Sequence, residues 1–283
     1  MSMVETTRPL TQAYKDALVH LLLVLADDDL AFGHRSSQWL GLAPDLEEDI
    51  AFSSIAQDEI GHAAFFYRLV SDLAGEDADA LAFARPTQVR KNARLLEQQN
   101  GDWAYTIARA YVYNIFEQVR LEALLASNYL PLQQGATKIL REERYHRLHM
   151  ETWFLRLAEA GGEARFRLET AVEHVWADLS DLFTLGNHQH DLIHEGILPT
   201  TEQALYEAWL TEVKPMFDRS SLYWPGNRGE LTSEDLSGAT TAKVDGSTSE
   251  EERNGRLGQH SEHLDELLQT MTEVYRSEAG ATW

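Results

Sequence analysis

The stretch Ile55-Ala-Gln-Asp-Glu-Ile-Gly-His-Ala63 places Glu59 and His62 three positions apart, and Glu142-Glu-Arg-Tyr-His146 repeats that spacing with Glu143 and His146, 84 positions further on. Residues three apart share one face of an α-helix, so each pair can point at a common spot. With 28 Glu and 11 His in 283 residues, about one Glu-x-x-His is expected by chance, so placement has to decide. Leu46, Ile50, Ile55, Glu59, His62, Phe66 and Leu69 recur at helical intervals, and so do Ile139, Glu143, His146, Met150, Trp153 and Leu157. In both runs the acid and the imidazole fall within the apolar stripe, the face that a helix turns inward.

The same periodicity organises the flanks. Leu18, Leu22, Leu25, Asp29 and Phe32 predict a first long helix ending near Gly41. Pro44 opens the second, which the polar segment Gly75-Glu76-Asp77 closes. Asp102 suits the N-cap of a third, whose face carries Trp103, Ile107, Ala110, Asn114, Glu117, Leu121 and Leu125 before Asn128 to Pro131 stop it. Gly161-Gly162 ends the fourth. Further helices are expected over 166–185 and 202–213, with a last amphipathic one from His263 to Tyr275. No alternating segment bounded by hairpin turns stands out, so the predicted class is all-α: a single domain over 1–283, built as a four-helix bundle with additional C-terminal helices. Residues 225–254, rich in Gly, Ser, Thr, Asp and Glu, read as a flexible insertion within it.

Two Glu-x-x-His helices need two more carboxylates to hold a pair of metal ions, as in ferritin-like di-iron bundles. Asp29 on the first helix and Glu117 on the third lie in phase with their stripes, giving the candidate metal set Asp29, Glu59, His62, Glu117, Glu143 and His146. Acids on core faces are costly unless paired or metal-bound. Plainer readings stand beside this one. The motifs could be surface pairs served by Arg144 or Arg147. Asp29 could belong to a solvated run, Asp27-Asp28-Asp29, with Asp28 the fallback ligand. Glu122 competes with Glu117, because the two lie about 140° apart and only one shares the face of Leu121. His188, His190 and His194, with Asp191 between the last two, form a separate cluster that reads as solvated loop histidines before it reads as a metal site.

Composition narrows the chemistry. There is no cysteine, which excludes disulfides, thiolate nucleophiles and iron–sulfur clusters, so any metal must be held by oxygen and imidazole. A net charge of −22, with no basic cluster, argues against nucleic acid and anionic membrane surfaces as partners. No apolar run approaches the roughly 20 residues of a membrane span. The N-terminus lacks a basic segment followed by an apolar one, so a cytoplasmic protein is expected.

Leu42-Ala-Pro-Asp-Leu-Glu-Glu-Asp49, the two motif stretches quoted above, Gly258-Gln-His-Ser-Glu-His-Leu264 and Ala281-Thr-Trp283 together resemble the C-type subunits of the phenylacetyl-CoA oxygenase (ring 1,2-epoxidase) family. The resemblance covers nearly the whole chain apart from the 225–254 insertion. It implies a ferritin-like bundle acting as the structural partner of a catalytic, di-iron, ferritin-like A-type subunit in a complex that epoxidises the ring of phenylacetyl-CoA. It also implies a small accessory subunit and a separate flavin and iron–sulfur reductase that brings electrons from NADPH. Asp29 stands where the family would place a glutamate, and the missing methylene would leave its carboxylate about 1.5 Å short unless the helix shifts. The competing reading is a self-sufficient di-iron oxidase or oxygenase using the six-residue set.

Overall fold

The computed structural model describes residues 11–228 and 254–278. Among them there is no strand, and the chain is all-α: α1 (Gln12–Ser37), α2 (Leu46–Ala74), α3 (Ala78–Phe83), α4 (Arg94–Glu97), α5 (Trp103–Leu124), α6 (Leu130–Ala160), α7 (Gly162–Ala177), α8 (Gln189–His194), α9 (Glu202–Ser220), α10 (Glu262–Met271) and α11 (Glu273–Ser277). Local chemistry sets several of these limits. Asp45 and Asp102 each cap a helix by accepting the backbone N–H three residues on. Gly75 closes α2 at φ 77°, a conformation that costs glycine nothing. Pro131 sits in the first turn of α6, where its missing N–H would have had no helical partner anyway.

α1, α2, α5 and α6 form the bundle, with α1 packed chiefly on α2 and α5 on α6. Two apolar clusters fill it end to end. One gathers Phe32 of α1, Phe52 and Ile55 of α2, Ala104 to Phe116 of α5, and Met150 to Ala158 of α6. The other gathers Tyr14 to Leu30, Ala63 to Val70, Val119 to Leu124, and Leu132 to Ile139. Each long helix therefore passes from one cluster to the other, and it does so near residues 29, 59, 117 and 143. A thin polar layer at mid-bundle is where the two apolar masses part. The order also fixes direction: α1 and α6 run one way, α2 and α5 the other, so the link from α2 to α5 must travel the length of the bundle. Residues 75–102 do so, and α7 and α9 then cover α5 and α6 from outside.

Several expected limits move. α1 stops at Ser37 instead of near Gly41, which adopts φ 76° in the turn that follows. The helix expected over 166–185 ends at Ala177 and gives way to a 3₁₀ turn at Ser180–Leu182, because Asp181 turns inward to accept the N–H groups of Arg94 and Gly255. α9 continues past Val213 to Ser220 in spite of Pro215. The last helix breaks at Thr272. Periodicity places Leu46 and Ile50 on a buried stripe, but they are 70% and 62% exposed, because the inward face of these turns carries Glu48 and Phe52 and the step of five from Ile50 to Ile55 turns Ile50 away from it. Residues 229–253 of the expected insertion lie outside the described residues. Of its edges, Pro225–Arg228 forms a 3₁₀ turn and Asn254 is buried.

Candidate metal centre

Three consecutive aspartates on one helix point in three directions, about 100° apart. All three are buried, so the expectation of a solvated run fails: α1 is enclosed on nearly every side, by α2, by the 85–94 crossover and by the turn Gly255–Leu257. Asp27 pairs with Arg85 and Arg90 and accepts the N–H of Lys91 at 2.9 Å. Burial alone would raise its carboxyl, but the two guanidiniums outweigh burial and hold it below the usual value. Asp28 accepts from Arg120 at 2.6 Å, Arg256 at 2.6 Å and the N–H of Ala93 at 2.8 Å, so the fallback ligand is already saturated. Asp29 faces the polar layer, where Tyr113 donates its hydroxyl to Oδ1 at 2.9 Å and Oδ2 has no partner.

Around Asp29 the structure gathers Glu59 and His62 from α2 and Glu143 and His146 from α6, all buried. His146 Nδ1 lies 3.0 Å from Glu143 Oε1 and 3.4 Å from Glu59 Oε1, and His62 Nδ1 lies 3.7 Å from Glu143 Oε1. Two triads, Asp29–Glu59–His62 and Glu59–Glu143–His146, each place their donor atoms within 4.8 Å of one another. Ligands on opposite sides of an ion with bonds of about 2.0–2.2 Å stand roughly 4 Å apart, so either triad can close on an ion by small side-chain movements. The donor chemistry fits as well. Asp29 Oδ2, both oxygens of Glu59, Glu117 Oε1 and Glu143 Oε2 are buried with no hydrogen-bond partner, a costly arrangement that a cation would relieve. Among the described residues the two triads are the groups that could hold a metal, and Glu117 belongs to neither.

The outward ring nitrogens are held crosswise. His62 Nε2 donates to Glu142 at 2.8 Å, and His146 Nε2 donates to Asp58 at 3.2 Å. Glu142 directly precedes Glu143 and Asp58 directly precedes Glu59, so each motif supplies the acid that orients the other motif's imidazole. That leaves both Nδ1 atoms facing inward, the orientation a metal-ligating histidine needs. Asp58 and Glu142 stand outside the candidate set drawn from spacing, yet they had a signal of their own: both motifs read acid-Glu-x-x-His.

Without a metal the layer keeps its protons. Glu59 is pushed up to about 8 by burial and by Glu143 opposite it, and Asp29 is raised well above its usual value by burial, Glu117 and Glu59. Burial disfavours the charged form of His146, yet Glu143 and Asp58 prevail and raise it to about 12.

Asp29 reaches its triad despite its shorter side chain because α1 and α2 touch closely one turn further on. A Cβ added to Gly33 would meet Glu59 Cβ and Ile60 Cγ1 at 3.0 Å and the Ala56 carbonyl at 3.3 Å. Gly33→Ala is therefore expected to wedge the helices apart and destabilise the chain by about 1–3 kcal/mol. Urea denaturation checks this, and an unchanged midpoint would show that the contact yields freely.

Glu117 is buried, and its Oε2 accepts from Arg120 one turn along α5. Burial raises Glu117 to about 7, with Arg120 pulling against that and Glu143 adding to it. Its competitor Glu122 is exposed and accepts from Gln118 at 2.8 Å. Arg120 is a further residue that the spacing argument leaves out, although its place three residues after Glu117 in an apolar stripe was a signal. Arg147 pairs instead with Glu151 and Glu212 at the surface. The second histidine cluster does not assemble: His190 and His194 have 86% and 71% exposed side chains, while His188 packs on His20 with ring centroids 4.5 Å apart.

Two clefts open along the seam between α2 and α6. One, of about 640 Å³, is lined by Ile55, Tyr145, His149 and Trp153 and reaches His146. The other, of about 540 Å³, includes Gly61, Phe65 and Gly135 and reaches His62. Asp58 and Glu142 border both. A slightly larger cleft of about 700 Å³ around Tyr105, Arg167, His174 and His263 touches none of the six candidate ligands. No helix among the described residues is long and apolar enough to cross a membrane.

Comparison with known proteins agrees with this architecture. The C-type subunit of 1,2-phenylacetyl-CoA epoxidase from Escherichia coli (strain K12) is 30% identical over 262 residues, covering 92% of this chain and 97% of that protein. Residues 1–283 match the family described as "Phenylacetic acid catabolic protein". With the bundle, its mid-height polar layer and a match over its full length in agreement, the chain belongs to the phenylacetic acid catabolic protein family.

Proposed function

We propose that this chain is the C-type structural subunit of a multicomponent 1,2-phenylacetyl-CoA epoxidase acting in aerobic phenylacetate breakdown in the cytoplasm. In this reading it pairs with a catalytic di-iron partner of the A type, alongside a small accessory subunit and a reductase that draws electrons from NADPH. One observation carries the structural role: near full-length likeness to a C-type subunit coincides with a centre in which Glu117 is committed to Arg120. Exposed apolar side chains support a protein that works in contact with another. Leu42, Leu46 and Ile50 around the start of α2, and Tyr145 and Leu148 on α6, are each more than half exposed.

Asp29, Glu59, His62, Glu143 and His146 would hold the metal, with Glu117 completing the six-residue set of a two-iron ancestor. When bound, iron supplies one-electron and O₂ chemistry. The protein's own part is positional. Asp58 and Glu142 fix the imidazoles, Tyr113 steadies Asp29, and the two apolar clusters enclose the layer from the two ends of the bundle. The second reading, a self-sufficient di-iron oxidase, is favoured by the unpartnered carboxylate oxygens and by the clefts that reach His62 and His146 from the surface.

Reconstitution separates the two. Phenylacetyl-CoA-dependent NADPH oxidation is expected only when this chain is combined with its catalytic partner and reductase, and omitting this chain is expected to abolish it. Turnover by the purified, iron-loaded chain with reductase alone would overturn the structural reading. Failure to co-purify with a catalytic partner would count equally against it.

A further inference from the structure

A two-ion carboxylate centre has no use for a guanidinium in its ligand layer, and Arg120 stands there 1% exposed. Its Nη1 donates to Asp28 and its Nη2 to Glu117, while Asp28 also binds Arg256. Two carboxylates and two guanidiniums thus neutralise one another as a closed group, and Glu117 belongs to it. Asp29, Glu59 and Glu143 remain. When ionised they carry three negative charges, which one divalent ion brings to a net −1, whereas a second would leave net positive charge beside a fixed cation in a dry interior.

Donor geometry selects the same half. Asp29, Glu59 and His62 bond to no guanidinium, and Asp29 Oδ2 and both Glu59 oxygens are buried and unpartnered. The Glu59–Glu143–His146 triad shares Glu59, but there the inward Nδ1 of His146 is already bonded to Glu143 Oε1 at 3.0 Å, whereas His62 Nδ1 has no carboxylate so close. The geometry points to a one-ion centre: a single divalent transition-metal ion held by Asp29, Glu59 and His62, with Arg120 excluding the second ion by holding Glu117. Arg120 is thereby a specificity residue for metal stoichiometry. This rests on the metal-binding reading above and deepens it.

The test is anaerobic titration of the full chain with Co(II), counting bound ions by equilibrium dialysis and elemental analysis and following coordination by visible absorption. The wild-type chain is expected to bind one ion and Arg120→Met two. Asp28 keeps Arg256 in that variant, and circular dichroism reports whether the variant has folded. Glu117→Gln, which removes no ligand under this assignment, is expected to leave the first ion's affinity within about threefold, whereas Asp29→Asn weakens it by more than the roughly 10–100-fold typical of an outer-sphere change. Two ions on the wild-type chain would overturn the role of Arg120 and leave the metal reading standing; none on the folded chain would overturn both. Loss of the ion in Glu143→Gln but not in Asp29→Asn would place it in the other half and refute the assignment.

Discussion

Asp28→Asn is expected to cost about 3–5 kcal/mol of stability, the range for removing one partner from a buried charge network. The asparagine keeps the shape of Asp28 but not its charge, and its amide would turn N–H donors towards donors. Arg120 would retain Glu117. Arg256 would retain the carbonyls of Lys91, Asp181 and Leu182 and the nearby carboxyl of Asp181, but would lose its direct ion pair. Because Asp28 and Arg256 are 228 positions apart, the substitution also removes the direct ion pair that ties the Gly255–Leu257 turn to α1. Urea denaturation beside the exposed control Glu122→Gln, expected to fall within about 0.5 kcal/mol of wild type, measures the effect. A loss below about 1 kcal/mol for Asp28→Asn would mean that water reaches the network.

How much of this was legible in the sequence varies with the range of the interaction. The long helices are announced locally, by stripes three and four apart and by Asp45, Gly75 and Asp102 at their ends. The two Glu-x-x-His pairs are equally local. The fate of each acid is not. Asp27, Asp28 and Asp29 look alike in the sequence and diverge only because Arg85 and Arg90, Arg120 and Arg256, and Tyr113 approach from three other segments. Short elements also escape periodicity: α3 and α4 lie in a crossover whose buried Arg90, Asn92 and Glu97 break any apolar pattern. His260 shows the same limit. It falls in the segment that suggested the family, yet its contacts, Glu97 at 2.6 Å and the Arg90 carbonyl at 3.1 Å, are visible only once the chain has folded back on itself. Gly33 is the subtlest case, since a glycine inside a helix reads as a weakness until the helix beside it is in place.

Metal-free protein is expected to lose stability steadily as pH rises from about 5 to 8. In the unfolded chain Glu59 and Glu117 release their protons near 4.5, but in the folded layer Glu59 holds its proton up to about 8 and Glu117 up to about 7. Between those limits the folded state binds more protons than the unfolded one, so each rise in pH favours unfolding. His146, raised to about 12, extends the same slope above its unfolded value of 6.5. On the acid side the sign reverses: Asp27 and Asp58 are held below their usual value, so stability falls again once pH drops below about 4. Glu59→Gln removes the main raised carboxyl, and is expected to make the metal-free chain more stable at pH 8 by on the order of a few kcal/mol and to flatten the decline. The same substitution replaces the carboxylate shared by both triads with a neutral amide, so added Co(II) should raise the melting temperature of the wild-type chain at pH 8 and leave that of Glu59→Gln unchanged. Thermal melts across pH 4–9, with and without metal, carry both readouts. If Glu59→Gln were no more stable than wild type at pH 8, the strained carboxylate layer would not exist; if its stability rose while Co(II) still protected it, the ion would be bound elsewhere. A layer whose carboxyls hold their protons up to about 7 and 8 loses stability as it ionises, and a cation among its unpartnered oxygens offsets that loss.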